Sequence, residues 1–136
     1  MKISSIMTRG VVTVDMDDSL QTIREILNSF EFHHIPVVDG QKLIGIISDR
    51  DLLSELSPFL DTPSQEQRDF AILKRKAHQI MSRIIITVNA TTSIEKASNL
   101  LLENDISCLP VVSSQDNVEG IITWKDILKF YMKQSQ

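Results

Sequence analysis

Residues 45–51 read GIISDRD and residues 120–126 read GIITWKD. Both begin with a glycine and two isoleucines, pass through a hydroxyl residue, and end in a cation and an aspartate. The apolar half has the β-branched character of a short buried strand. The polar half carries Ser48-x-x-Asp51 in one stretch and Thr123-x-x-Asp126 in the other, the hydroxyl-and-acid spacing of a helix capping box. A strand that runs straight into a helix N-terminus therefore occurs twice, and the chain reads as a duplication before any single element is assigned.

Outward from these stretches the correspondence continues. A shift of 74 residues places Ile6-Met7 on Ile80-Met81, Arg9 on Arg83, Thr13-Val14 on Thr87-Val88, Ser19 on Ser93, Leu27 on Leu101, and Pro36-Val37-Val38 on Pro110-Val111-Val112. One inserted residue then makes the shift 75, with Asp51 on Asp126 and Leu53 on Leu128. Each copy reads β-α-β-β-α. The first strand is predicted at residues 11–14 and 85–88. Asp18 and Thr92, each three residues before Gln21 or Glu95, are predicted helix caps. Behind them Leu20, Ile23, Ile26, Leu27 and Phe30 share one helical stripe, as do Ile94, Ala97, Leu100 and Leu101 in the second copy. A hairpin with an Asp39-Gly40 turn follows, replaced in the second copy by the longer residues 113–117. Closing helices are predicted near residues 49–56 and 124–133.

Between the copies, Thr62-Pro63-Ser64-Gln65 reads as a cap, a proline at the first helical position and a capping-box glutamine. Phe70, Leu73 and Ala77 give that connector a sparse apolar stripe. The expected organisation is repeat 1 over residues 1–56, a mostly helical connector over 57–79, and repeat 2 over 80–136. A repeat of about 50 residues is marginal alone, so the two copies are expected to pack sheet to sheet as one module.

The 136 residues are 42% hydrophobic and 24% charged, with a net charge of -4. That balance disfavours a nucleic-acid partner, which needs a basic face, and Lys74-Arg75-Lys76 reads as a solvated helix face. One cysteine excludes an intrachain disulfide and suits a reducing compartment. No stretch has the apolar length of a signal peptide or a membrane span. The expectation is a cytoplasmic protein with no membrane partner.

The stretches HHIPVVD and GIISDRDLL, paired with SCLPVV and GIITWKDIL, resemble a tandem pair of cystathionine-β-synthase (CBS) domains, also called a Bateman module, and the expectation is a stand-alone pair. The resemblance covers about 100 of the 136 residues. It implies an α+β fold of two repeats related by pseudo-twofold symmetry. It also implies a non-enzymatic regulatory sensor that binds adenosine-containing ligands (AMP, ADP, ATP, NAD or S-adenosylmethionine) in a cleft shared by the repeats. Association into a homodimer and signalling to an effector protein are further implications, and no cofactor is required. In similar proteins the aspartate of the strand-to-helix motif holds the ribose and the preceding hydroxyl lies beside the ligand, roles that fall to Asp51 and Ser48, and to Asp126 and Thr123. The adenine would be enclosed around Thr13 and Ile35, and around Thr87 and Leu109. His33 and His34 could approach phosphates, whereas Ser107 and Cys108 replace them in the second copy, which puts equal phosphate affinity in doubt.

The residues themselves leave alternatives open. Ser48 and Asp51, like Thr123 and Asp126, could serve as helix caps alone, or could also place an acceptor pair where a ribose diol would bind. Arg50 and Lys125 are either phosphate partners or surface cations. Trp124 could cover an adenine ring or pack under its helix. Adjacent strand residues point to opposite faces, so His33 and His34 are not expected to ligate one metal, and Cys108 reads as a core thiol. The competing function is a structural or protein-interaction module with vestigial clefts.

Overall fold

The computed structural model describes residues 1–30 and 33–135. The chain forms two compact units with mixed helix and strand. The first comprises Val12–Gly40 and Ile44–Ile85, the second Met1–Val11, Gln41–Leu43 and Ile86–Gln136.

In the first unit, β1 (Val14–Asp15), α1 (Leu20–Ser29), β2 (His34–Asp39), β3 (Lys42–Ser48, whose first two residues belong to the second unit) and α2 (Asp49–Glu55) follow the expected order. The sheet order is β1-β2-β3, with β1 parallel to β2 and Val14 opposite Val37. Along β3, Leu43, Gly45 and Ile47 are buried while the residues between them are not, the period-two signature of a strand with one face in the core. Gly40 turns the hairpin at a φ of +67°, which glycine adopts without strain. On α1, Leu20 and Ile23 are buried and Ile26 and Leu27 pack at the margin. Phe30 departs from the predicted stripe: it follows the last helical residue with extended backbone and is 51% exposed.

In the second unit, α5 (Ile94–Asn104) leads into β4 (Cys108–Val112), β5 (Val118–Thr123) and α6 (Trp124–Gln134). β4 pairs antiparallel with β5, Leu109 opposite Ile122, and Glu119 is the extra residue of a bulge between the Val111 and Val112 pairs. The strand predicted at residues 85–88 is reduced to one parallel bridge, Val88 opposite Val111. Ile86 packs at the margin of the second core and Thr87 is exposed, so Val88 alone of this run is buried.

The caps lie one residue later than predicted. Ser19 Oγ accepts from Thr22 N–H and Ser93 Oγ from Lys96 N–H, so these serines begin α1 and α5. Asp18 and Thr92 close the preceding turns instead, accepting from the N–H groups of Asp15 and Asn89.

The compact units cut across the predicted repeat boundaries. Ile3 and Met7 are buried with Val88, Ile94, Leu109 and Ile122 of the second unit, while Ala77 and Met81 are buried with Val14, Leu20, Ile35 and Ile47 of the first. The segment that opens each repeat thus completes the core built mainly from the other repeat. Backbone bonds fix both: Ile3 N–H to Thr92 O and Thr8 N–H to Ile121 O on one side, Ala77 N–H to Asp18 O and Ile46 N–H to Ser82 O on the other.

In the connector, helix starts later than the Thr62 prediction, as α3 (Gln67–Ala71), a 3-10 turn (Ile72–Lys74) and α4 (Ala77–Ile80). Gln65 is drawn back to accept from Asp61 N–H at 2.7 Å, which closes a turn where a helix would otherwise begin. Asp69 caps α3, accepting from Glu66 N–H and from the Ser57 hydroxyl at 2.6 Å. These two bonds, the hydroxyl foremost, hold its buried carboxyl below the ordinary range. Leu73 and Ala77 are buried as expected, but Phe70 is 43% exposed. Ion pairs Arg75–Glu55 and Arg24–Asp61 fasten the connector to the first unit.

Candidate functional site

Each unit carries one strand-to-helix junction, built alike. In the first, Ser48 Oγ accepts from Asp51 N–H and Asp51 Oδ2 accepts from Ser48 N–H, both at 3.0 Å. In the second, Thr123 Oγ1 accepts from Asp126 N–H at 3.3 Å, and Asp126 Oδ2 accepts from Thr123 N–H at 2.9 Å. The motif spacing thus forms complete capping boxes. Both aspartates spend Oδ2 on the cap, and among the described residues Oδ1 accepts no bond. Capping and holding a diol are therefore compatible, because a carboxylate has more acceptor sites than the box uses.

The preceding strand is anchored the same way twice: Asp49 N–H donates to His33 O at 2.9 Å, and Trp124 N–H donates to Ser107 O at 3.1 Å. The register of Val14 with Val37, and of Val88 with Val111, sets Thr13 level with Pro36 and Thr87 level with Pro110. Thr13 is half-buried and Thr87 exposed. Ile35 and Leu109 are fully buried and belong to the two hydrophobic cores. Arg50 and Lys125, at the second helical positions, are exposed.

The two junctions differ in charge. In the first unit His33 Nδ1 lies 2.9 Å from Asp49 Oδ2, and that hydrogen bond is the main reason the Asp49 carboxyl titrates below its usual range. Asp49 was not singled out by sequence reasoning. Its signal was the second acid in the first turn of α2, and its partner lies 16 residues away. In the second unit the matching position is Trp124, and Asp126 is the only acid in the first turn. Trp124 is 51% exposed and stands two residues from Asp126, about 200° around the helix, so the two side chains leave α6 in nearly opposite directions.

His34, the first residue of β2, is half-buried, and burial lowers its pKa from 6.5 against the opposing pull of Asp49 and Asp51. Because the folded value lies below the unfolded one, the stability His34 contributes is complete above about 6.5 and is lost as pH falls through the folded pKa. Unfolding measured from pH 7 to pH 5 is expected to show declining stability, with a shallower decline in His34→Gln. An unchanged slope would contradict this reading of His34.

Among the described residues no group of three His, Cys, Asp or Glu side chains is placed to hold a metal. The Cys108 thiol is buried, and burial pushes its pKa up to about 12, which keeps it protonated and unreactive. No helix of the described residues is long and apolar enough to cross a membrane.

Two strand-to-helix junctions, each closing a helix, a hairpin and a second helix in the same order, define a tandem-repeat domain pair. The CBS domain family model matches residues 3–58 and 77–133, and the chain belongs to that family. It is 30% identical to an uncharacterised protein of Methanocaldococcus jannaschii over 95% of its length, and spans 46% of that relative. Among solved structures it is similar to the CBS domain pair of protein MJ0100, crystallised with 5'-methylthioadenosine and S-adenosyl-L-methionine, at 25% identity and a TM-score of 0.78 over 96% of this chain and 99% of that one. CBSX2, crystallised with AMP, shares the fold at a TM-score of 0.83 and 24% identity, over 99% of this chain and 98% of that one.

Proposed function

We propose that the chain is a regulatory module that binds an adenosine-containing ligand of the AMP, ADP, ATP, NAD or S-adenosylmethionine type and performs no chemistry on it. The observation that carries this is the paired carboxylates of Asp51 and Asp126. Each sits at the third position of a helix with one oxygen in the cap and the other available to a ribose diol. The adenosyl ligands of the similar CBS pairs support the reading. Ser48, Thr123, Thr13 and Thr87 flank the ligand in this proposal, backbone around Ile35 and Leu109 meets the adenine, and His33, His34, Arg50 and Lys125 attend any phosphate. The second junction, with Lys125 and a single first-turn acid, suits an anionic ligand better than the first, where Asp49 and Asp51 share one helical turn.

The ligand would act by favouring one of two conformational states, which an effector protein reads. The module is taken to be a homodimer. The competing reading, a structural or interaction module, draws on the completeness of both capping boxes without any ligand. Isothermal titration of the protein with AMP, ADP, ATP, NAD and S-adenosylmethionine separates the two: saturable heat with at least one compound is expected, and none with any of the five would leave only the capping role.

A further inference from the structure

The two junctions share an aspartate for the ribose and differ in what stands beside it. Arg50 and Lys125 match, one cation to each, but Asp49 occupies the position of Trp124. The first turn of α2 therefore holds two acids and that of α6 only one. Asp49 is two residues from Asp51, about 200° around the helix, so it does not join Asp51 at a diol. It turns instead to His33, whose Nδ1 lies 2.9 Å from Asp49 Oδ2. His34 feels the charge of both carboxylates, Asp49 the more strongly. The side chains of His33 and Asp49 are 66 and 45% exposed, open to a ligand arriving from solvent. Whatever extends from a ribose on Asp51 toward His33 and His34 thus enters the field of Asp49.

We propose that Asp49 is the specificity-determining residue of the first junction, and that this junction takes adenosyl compounds whose 5' substituent is cationic or uncharged, a sulfonium or thioether in place of a phosphate. The inference rests on the adenosine-ligand reading above and names the ligand class of one of its two sites. Adenosyl compounds share the base and the diol, so the 5' group separates them, and discrimination falls to the charge it meets. A phosphate would face Asp49 as a second, repelling carboxylate. Asp49 also engages the His33 imidazole, the side chain that would otherwise donate to that phosphate. The positive end of α2 is already met by two acids, which leaves less of it for an anionic ligand. A sulfonium instead gains the Asp49 carboxylate. At the second junction Trp124 brings no charge, and Lys125 stands against Asp126 alone in the first turn.

Isothermal titration of Asp126→Ala, which silences the second junction, isolates the first. The probes are S-adenosylmethionine, 5'-methylthioadenosine and AMP, which place a cation, a neutral thioether and an anion on the same nucleoside. S-adenosylmethionine is expected to bind roughly tenfold more tightly than AMP. Adding Asp49→Asn is expected to tighten AMP roughly tenfold, to weaken S-adenosylmethionine, and to move 5'-methylthioadenosine by less than about twofold. Asp49→Asn in the otherwise unaltered chain should tighten AMP at one of two sites and leave the other unchanged, which keeps the test independent of how Asp126→Ala folds. AMP bound as tightly as S-adenosylmethionine while Asp49 is present, or an AMP affinity unmoved by Asp49→Asn, would overturn the proposal. So would an Asp126→Ala protein that binds none of the three when the unaltered chain binds one. Silence of the unaltered chain toward all three would instead remove the ligand reading itself, and this proposal with it.

Discussion

Gly120→Ala is expected to remove about 3 kcal/mol of stability, the upper end of the cost of overpacking a closed site. A β-carbon there would lie 2.8 Å from the backbone oxygen of Thr8 and 3.0 Å from Met7 Sδ. Backbone cannot rotate aside as a side chain does. Thr8 is also bonded in both directions to Ile121, N–H to O at 2.9 Å and O from N–H at 3.0 Å. Relieving the clash therefore loosens the segment that brings Ile3 and Met7 into the second core. Urea unfolding should show a lower midpoint, and amide exchange should quicken first at Thr8 and Ile121. The matched Gly45→Ala is expected to cost less, because the atoms it would meet all belong to the side chain of Met81 and none to backbone. A Gly120→Ala midpoint equal to wild type would contradict the close approach of the exchanged segment.

Asp51→Ala combined with Asp126→Ala is expected to weaken adenosyl-ligand binding about a hundredfold. Each hydrogen bond between a ribose hydroxyl and a carboxylate contributes roughly 1.5–3 kcal/mol. Stability should fall by only about 1 kcal/mol per site, the ordinary cost of losing a helix cap. Asp→Asn at the same positions keeps a neutral acceptor and should fall between wild type and alanine in affinity. The contrast is diagnostic: capping alone predicts the stability loss without the affinity loss, and full affinity in the alanine pair would remove these carboxylates from the ligand site.

The parts legible in the sequence were those written twice in local pattern. The hairpin after Asp39, the capping boxes at Ser48 and Thr123, and the closing helices α2 and α6 all depend on residues within a few positions of one another. What escaped was set by partners distant in the chain. The glycine of GIIS and GIIT read as part of a strand, and only packing shows why it must lack a side chain, since Met81 and Met7 close over it. The segments bearing those methionines complete opposite cores, a choice invisible to a reading that assigns each segment to its nearest repeat. Of the run predicted at residues 85–88 only Val88, the one buried residue, pairs, because burial and not β propensity decides where a strand forms. His33 and Asp49 were separated in sequence by the whole hairpin. Ser19 and Ser93 took the caps from Asp18 and Thr92 by one residue, a distinction set by local backbone geometry and not by composition.

Native mass spectrometry of the protein purified without added nucleotide, then exposed to AMP, ADP, ATP, NAD and S-adenosylmethionine in turn, tests the central claim most directly. The account predicts a retained or added mass equal to an adenosine-containing compound, lost when Asp51 and Asp126 are both alanine. Spectra that stay at the bare protein mass with all five compounds would contradict it.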